Sequence, residues 1–244
     1  MLADTLRAVA GTVLVDEDGD EHVLELLPPA TDSEIAGLES ELSGLLPREL
    51  REALRVSAGF ANGPIELGLL DLAGFGMEDI FPRAFPLGHD GFGNYWVLDL
   101  LSEGEECGPV FFACHDPPVV AFQSDTASQF IHDVLALWQS GPRSPVDVVH
   151  EDVTDAIWAS NSGVQDRDSA LASDDAVVAG FAAEFPVDAV IADLRAPGVG
   201  DGFSWGRFGP RTEWRRAGPL RLWGAVPPPK RQGLISRIFG SRKA

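Results

Sequence analysis

Apolar and polar positions alternate most clearly between Asn94 and Leu100, where every second residue would point to the same face of a β-strand. The segment that leads into it, Gly88–Trp96, is rich in Asp, Gly and Asn. Because Asp and Asn side chains bond nearby backbone groups and glycine accepts a positive φ, such a segment specifies a tight backbone path. The pattern predicts a shaped turn that opens directly onto a strand.

Further short apolar runs flank this strand, and the turns between them are too short for crossover helices. Strands are predicted at Ile65–Leu70, Arg83–Leu87, Asn94–Leu100, Val110–Cys114 and Val119–Gln123. The last two are separated by His115-Asp116-Pro117-Pro118, and a turn is predicted there because proline cannot donate to a strand ladder. Together these runs predict a largely antiparallel sheet in an α+β domain.

Helical periodicity occurs on both sides of this predicted sheet. Thr31 and Glu34 have the spacing of a capping box, a second helix begins at Pro47 and stops at Gly59, and a closing helix is capped by Thr126. The apolar faces consist of Ile35, Leu38, Leu42 and Leu45, then Leu50 and Leu54, and finally Phe130, Val134, Leu137 and Trp138. Helical spacing favours core positions over a ligand surface for these side chains.

The chain opens with a predicted short helix and a hairpin, whose strands Thr12–Val15 and His22–Leu26 flank an acidic turn. The turn invites comparison with a calcium-binding EF-hand loop, which needs Gly at its sixth position and Glu at its twelfth. Counting from Asp16, those positions hold Glu21 and Leu27. A solvated hairpin turn is therefore favoured over a calcium site.

The region from about Thr31 to Trp138 resembles the SUKH superfamily of fungal cell-wall synthesis regulators (Smi and Knr proteins) and bacterial toxin-immunity proteins. The residues that carry the resemblance are Leu46-Pro47 with Leu50 and Leu54, Ala58-Gly59-Phe60, Gly88 to Trp96, Val110 to Asp116, and Phe130. The resemblance implies N-terminal helices packed on a largely antiparallel sheet with a closing helix. It also implies a protein-binding module and not an enzyme.

The resemblance does not cover the last third of the chain. Residues 152–159 and 174–185 are predicted helices, the second capped by Ser173, and residues 187–194, 202–208 and 220–226 are predicted strands. Three strands alone bury little surface, so a small α+β appendage packed on the first domain is expected. The predicted divisions are a SUKH-like domain with its N-terminal hairpin (1–140), the appendage (146–226), and a Pro-rich linker with a basic tail (227–244).

Charge is divided unevenly along the 244 residues, whose net charge is −20. Residues 1–194 hold 7 Lys/Arg against 36 Asp/Glu, a net −29, whereas residues 195–244 hold 11 against 2, a net +9. An acidic body repels nucleic acid and attracts cationic partners, although acidity also serves solubility.

No apolar run is long enough to span a membrane and no secretory signal opens the chain, so a cytoplasmic location is expected. There Cys107 and Cys114 are expected to be unlinked.

The histidines, glycines and arginines of the chain are the candidates for chemistry. His89, His115, His132 and His150 each precede an acid, but adjacent acids are common in this composition, and a shared metal site is not favoured. The glycines of residues 195–207 lack the spacing of a dinucleotide fingerprint and favour a hairpin. The arginines and tryptophans between 205 and 223 could bind nucleic acid, but an intramolecular acid–base interface is favoured. No nucleophile or Walker motif occurs, so we expect no catalytic residues and no cofactor.

The leading hypothesis is an immunity protein that neutralises a basic toxin by occluding it. The suggested partner-binding residues are His89, Asp90, Phe92, Asn94, Trp96, His115 and Asp116. A regulatory scaffold for cell-wall or envelope synthesis is the alternative, and a metal-dependent hydrolase ranks third. In the scaffold, a basic tail containing Arg237, Ile238, Phe239, Arg242 and Lys243 would touch the membrane weakly. Docking of this tail on the chain's own acidic body is at least as strongly favoured.

Overall fold

The computed structural model describes residues 1–70, 77–100, 107–139 and 141–228, and the predicted α+β class is confirmed. The helices in these ranges are α1 (Leu2–Val9), α2 (Asp32–Glu41), α3 (Arg48–Leu54), α4 (Ala127–Leu135), α5 (Pro145–Val148), α6 (Thr154–Ser160), α7 (Arg167–Leu171) and α8 (Ala176–Ala182). A 3-10 turn at Ala136–Trp138 follows α4, and a π-helical turn at Val149–Val153 joins α5 to α6. No helix in the described ranges has both the length and the apolar character that crossing a bilayer requires.

Within the described ranges the strands form four antiparallel sheets. Their bounds are β1 (Val13–Val15), β2 (Glu21–Val23), β3 (Glu25–Leu26), β4 (Gly59–Ala61), β5 (Leu67–Gly68), β6 (Ala84–His89), β7 (Tyr95–Asp99), β8 (Val110–His115), β9 (Pro118–Ser124), β10 (Val164–Asp166), β11 (Val190–Asp193), β12 (Gly202–Ser204), β13 (Glu213–Arg216) and β14 (Leu222–Val226). The largest sheet has the order β12-β9-β8-β7-β6. Its strands β6 to β9 confirm the predicted antiparallel succession to within a few residues.

Both faces of this central sheet are buried. On one face, Trp96 and Phe112 pack against the N-terminal and closing helices, where Leu50, Leu54 and Phe130 are fully buried. On the other face, alternate residues of the same strands pack against Trp223 and Ala192 of the C-terminal sheet. Those alternate residues are Val97, Phe111, Ala113, Val120 and Phe122. The aromatic residues of the strands therefore serve the core on both sides.

The C-terminal segment supplies a strand to the central sheet. β12 pairs with β9, and Gly202 lies opposite Ala121. A Cβ atom at Gly202 would lie 2.1 Å from the carbonyl oxygen of Val120, so only glycine permits this approach. The remaining C-terminal strands form a separate sheet of order β10-β11-β14-β13, in which β10 and β13 were not predicted. The predicted domain divisions stay a prediction.

Several predicted details of the N-terminal half are wrong. α2 begins with the predicted capping box of Thr31 and Glu34 but ends at Glu41, because Ser43 has a positive φ of 53°. Leu45 consequently lies beyond the helix and is 68% exposed, not on its apolar face. α3 ends at Leu54 and not at Gly59, which begins β4.

Other element ends also differ from the predictions. The second strand of the first hairpin is divided, since β2 pairs with β1 whereas β3 pairs with β4. The cap of α8 is Asp175 and not Ser173, because the Asp175 carboxylate accepts from the backbone of Val177 and Val178. Leu137 and Trp138 lie in the 3-10 turn after α4 and are partly buried against the core.

Candidate functional site

The turn between β6 and β7 is organised by one carboxylate. Asp90 accepts hydrogen bonds from the backbone amides of Phe92 (2.8 Å) and Asn94 (3.2 Å) and from the Asn94 side chain. Gly91 and Gly93 have φ values of 82° and 92°, which L side chains rarely adopt. The turn thereby presents Phe92, which is 80% exposed, at its tip.

Asn94 connects this turn to the turn between β8 and β9. Its Oδ1 accepts a hydrogen bond from the backbone amide of His115 (2.9 Å) and lies 2.8 Å from His115 Nδ1. His115 and Asp116 are both exposed, whereas Asn94 is buried. The two segments suggested for partner binding therefore lie side by side at one end of the sheet.

The remaining two suggested residues have different surroundings. His89 is exposed at the end of β6, and its Nδ1 accepts from the amide of Gly91 at 3.0 Å. Trp96 is 2% exposed, and its Nε1 donates to Gln123 Oε1 at 3.3 Å. His89 thus lies at the surface of the turn, while Trp96 supports the turn from inside the protein.

His150, on the π-helical turn, completes the site. Its Nε2 lies 3.2 Å from Asp90 Oδ2, and its Nδ1 lies 2.6 Å from Glu151 Oε1. The imidazole stacks on Trp96 with ring centroids 6.1 Å apart and an interplanar angle of 25°. The sequence marks His150 only as one of four histidines that precede an acid. Its place beside Asp90 depends on the π-helical turn, which residue spacing does not indicate. Such turns are often found at functional sites.

The electrostatic state of Asp90 follows from two opposing effects. Burial raises the pKa of its carboxyl, but hydrogen bonds from Asn94, Phe92 and His150 lower it by more. The net pKa of Asp90 therefore lies below its ordinary value. Asp90 is a carboxylate at neutral pH and holds the turn in its ionised form.

A cleft of about 430 Å³ opens beside this turn. Its apolar lining includes Ile65, Leu137 and Val146, and its polar lining includes Glu66, His89, Asp90, Asp147 and His150. Among the described residues, the lining contains three carboxylates and no Lys or Arg. Arg143 lies nearby, where its Nε donates to Asp147 and its Nη1 to Asp152.

The described residues contain no group of three or more His, Cys, Asp or Glu side chains that could hold a metal ion.

Cys107 and Cys114 are both free thiols. Burial, with smaller contributions from nearby carboxylates, raises the pKa of Cys114 to about 11, and burial beside Glu49 also raises the pKa of Cys107. Both groups are therefore protonated at neutral pH and are poor nucleophiles.

These features define an α+β domain with two turns joined by Asn94, the β6–β7 and β8–β9 turns (together the double turn), beside an acidic cleft at one end of its sheet. Residues 29–133 match the SMI1 / KNR4 family (SUKH-1), a family that is associated with toxin immunity and whose members are generally non-catalytic. The resemblance predicted for about Thr31 to Trp138 is thus confirmed. No curated protein and no solved structure matches the chain.

The family match ends before His150 and before the whole C-terminal sheet. The site consequently combines Asp90, Asn94 and His115 from the matched segment with a histidine from outside it. The suggested tail residues, among them Arg237 and Phe239, lie outside the described residues.

Proposed function

We propose that this chain is an immunity protein that neutralises a basic toxin by binding over the toxin's active site, without catalysis. The observation that carries the proposal is the pair of turns joined by Asn94, with Phe92 exposed at the tip. The match of residues 29–133 to a family associated with toxin immunity supports it.

Phe92 has the properties of an interface anchor. It is a large apolar side chain on a turn whose backbone is fixed by Asp90, so little conformational freedom remains to be lost on binding. His115 and Asp116 add polar groups beside it. Asn94 and Trp96 act beneath the surface, by holding the two turns in place.

The acidic body would speed the encounter with a cationic toxin. Residues 1–194 carry a net charge of −29, and long-range attraction of this kind raises association rates most at low salt. We expect the partner to be a protein with a basic surface, and we expect the complex to need no cofactor.

The test is affinity capture of the tagged chain from its native host at low and moderate salt, followed by toxicity assays with the recovered protein. A single basic toxin should be recovered, and co-expression of the chain should protect cells from it. Phe92→Ala should weaken protection strongly, whereas Val199→Ala, a change at another exposed apolar residue, should not. Recovery of envelope-synthesis proteins instead would favour the regulatory scaffold. Protection that does not depend on Phe92 would contradict the role of this turn as the toxin contact.

A further inference from the structure

We infer that the cleft beside Asp90 receives an arginine side chain of the protein partner. The inference rests on the proposed function, because it names the partner group that enters beside Phe92. The cleft is a separate feature, because the hydrogen bonds that hold the double turn do not depend on it.

The cleft has the size and lining of a small recognition pocket. Its volume of about 430 Å³ falls in the range of sites that hold small ligands, and Ile65, Leu137 and Val146 provide apolar walls. The aliphatic part of an arginine side chain suits such walls, because long cationic side chains bury their stems and leave the charged end among polar groups.

The charges that line the cleft favour a cation. Glu66 is exposed, and within the described part of the chain no ion pair involves it. Asp147 is half-exposed and is bonded by Arg143 from the side, while Asp90 lies deeper. An anion would meet these three carboxylates, of which only Asp147 is paired with an arginine in the part of the chain that the structure describes.

The shape favours arginine over lysine. The imidazole of His150 stacks on Trp96 at an interplanar angle of 25° and is among the groups that line the cleft, so the cleft contains a planar ring. A guanidinium group is planar, stacks on rings and donates to two carboxylates at once, whereas an ammonium group is a compact and strongly hydrated charge. Glu66 and Asp147 are the acceptors that we assign to it.

The test is a titration of the full chain with N-acetyl-arginine amide, followed by NMR of the Trp96 indole and the His150 imidazole. Both signals should shift and saturate in the millimolar range. The citrulline analogue has nearly the same shape without the charge and should bind at least about tenfold more weakly, while the lysine analogue should be about threefold weaker. Equal binding of the citrulline analogue would overturn the inference.

Matched variants locate the binding. Glu66→Gln and Asp147→Asn should each weaken binding by about threefold, the effect of one exposed charge pair. Arg143→Gln should strengthen it, since a competing cation next to Asp147 is removed. Glu184→Gln, which removes an exposed carboxylate paired with Arg215 elsewhere, should change nothing. If Glu184→Gln weakened arginine binding equally, the effect would come from the net charge of the protein and not from the cleft. That result would contradict the assignment.

One other occupant is the chain's own basic tail. If replacement of Arg237, Arg242 and Lys243 by glutamine makes the arginine probe bind more than about threefold tighter, the tail occupies the cleft and the assignment to a partner is wrong. The outcome is separate from the immunity proposal, because toxin protection that depends on Phe92 would persist without any arginine binding in the cleft.

Discussion

Two carboxylates, one near each end of strand β7, support different roles. Asp90 lies in the turn before the strand, and Asp99 is its last residue. Each joins the family-matched segment to a residue beyond it, Asp90 to His150 and Asp99 to Arg216. The surroundings of the two contacts differ, and so do the roles that they support.

Asp99 forms a buried ion pair with both Nη atoms of Arg216, at 2.9 and 2.6 Å, and the two side chains are 2% and 1% exposed. Arg216 also donates to the carbonyl oxygen of Leu220 and lies over the ring of Trp223. Asp90 instead bonds mainly to neutral donors of its own turn, next to an open cleft. The first contact fastens the C-terminal sheet to the central sheet, whereas the second shapes a surface.

The largest expected effect is on the buried pair. Arg216→Ala should lower the free energy of unfolding by about 3–5 kcal/mol, because it leaves a buried carboxylate without its arginine. Chemical denaturation measures the loss. The double variant Asp99→Leu with Arg216→Met should recover much of it, since it removes both charges. A loss of less than about 1 kcal/mol in the single variant would mean that water reaches Asp99.

A smaller loss is expected at the turn. Asp90→Ala removes the acceptor for two backbone amides and the Asn94 side chain, so the free energy of unfolding should fall by about 2 kcal/mol. Asp188→Ala, at an exposed position, should change it by less than about 0.5 kcal/mol. We further expect the Asp90 variant to lose protection of the Asn94 amide in hydrogen exchange. Unchanged protection would contradict the role given to Asp90.

The pH dependence should separate Asp90 from Asp133, a buried carboxyl on α4. The pKa of Asp90 is lowered, so its stabilising contribution is fully present above the ordinary pKa of 3.8 and is lost as the pH falls through the lower folded value. Burial raises the pKa of Asp133 despite a hydrogen bond from Gln129, so its contribution is lost as the pH rises from 3.8 through the higher folded value.

Unfolding of the wild type, Asp90→Asn and Asp133→Asn between about pH 2 and pH 6 measures these contributions. Asp90→Asn should reduce the loss of stability at the acidic end. Asp133→Asn should reduce the loss as the pH rises and should stabilise the protein near neutral pH. Identical pH curves for the two variants would contradict the opposite shifts.

The smallest effect on folding is expected at Phe92. Because this side chain is exposed, Phe92→Ala should change the free energy of unfolding by less than about 0.5 kcal/mol. Its effect on affinity for a purified toxin partner should exceed about tenfold if Phe92 is an anchor. Calorimetry with the partner measures the affinity, and a stability loss comparable to that of Asp90→Ala would indicate a structural role instead.

Local patterns in the sequence predicted the elements near the site well. Alternating residues identified β7, and the His115-Asp116-Pro117-Pro118 break identified the turn after β8. The capping box at Thr31 was found in the same way, because capping depends on residues three apart. The antiparallel order of β6 to β9 could be predicted because the connections between these strands are too short for crossover helices.

Contacts between distant residues could not be predicted in this way. Asp99 and Arg216 are 117 residues apart, and His150 is 60 residues from Asp90, so no spacing rule joins them. The exposure of Leu45 depends on the positive φ of Ser43, which the apolar pattern does not indicate. The sequence thus indicated the turn residues that the structure brings together at the candidate site, but not that His150 lies beside them.

The pairing of β12 with β9 has a consequence for handling the protein in fragments. A piece that ends at residue 133 would leave the edge of β9 without its partner strand at residues 119–121 and would uncover the aromatic face that contains Phe111 and Phe122. Open edges of this kind template intermolecular β-pairing. We expect such a piece to aggregate, as light scattering would show, whereas the full chain, in which β12 and the C-terminal sheet cover this edge and face, should not.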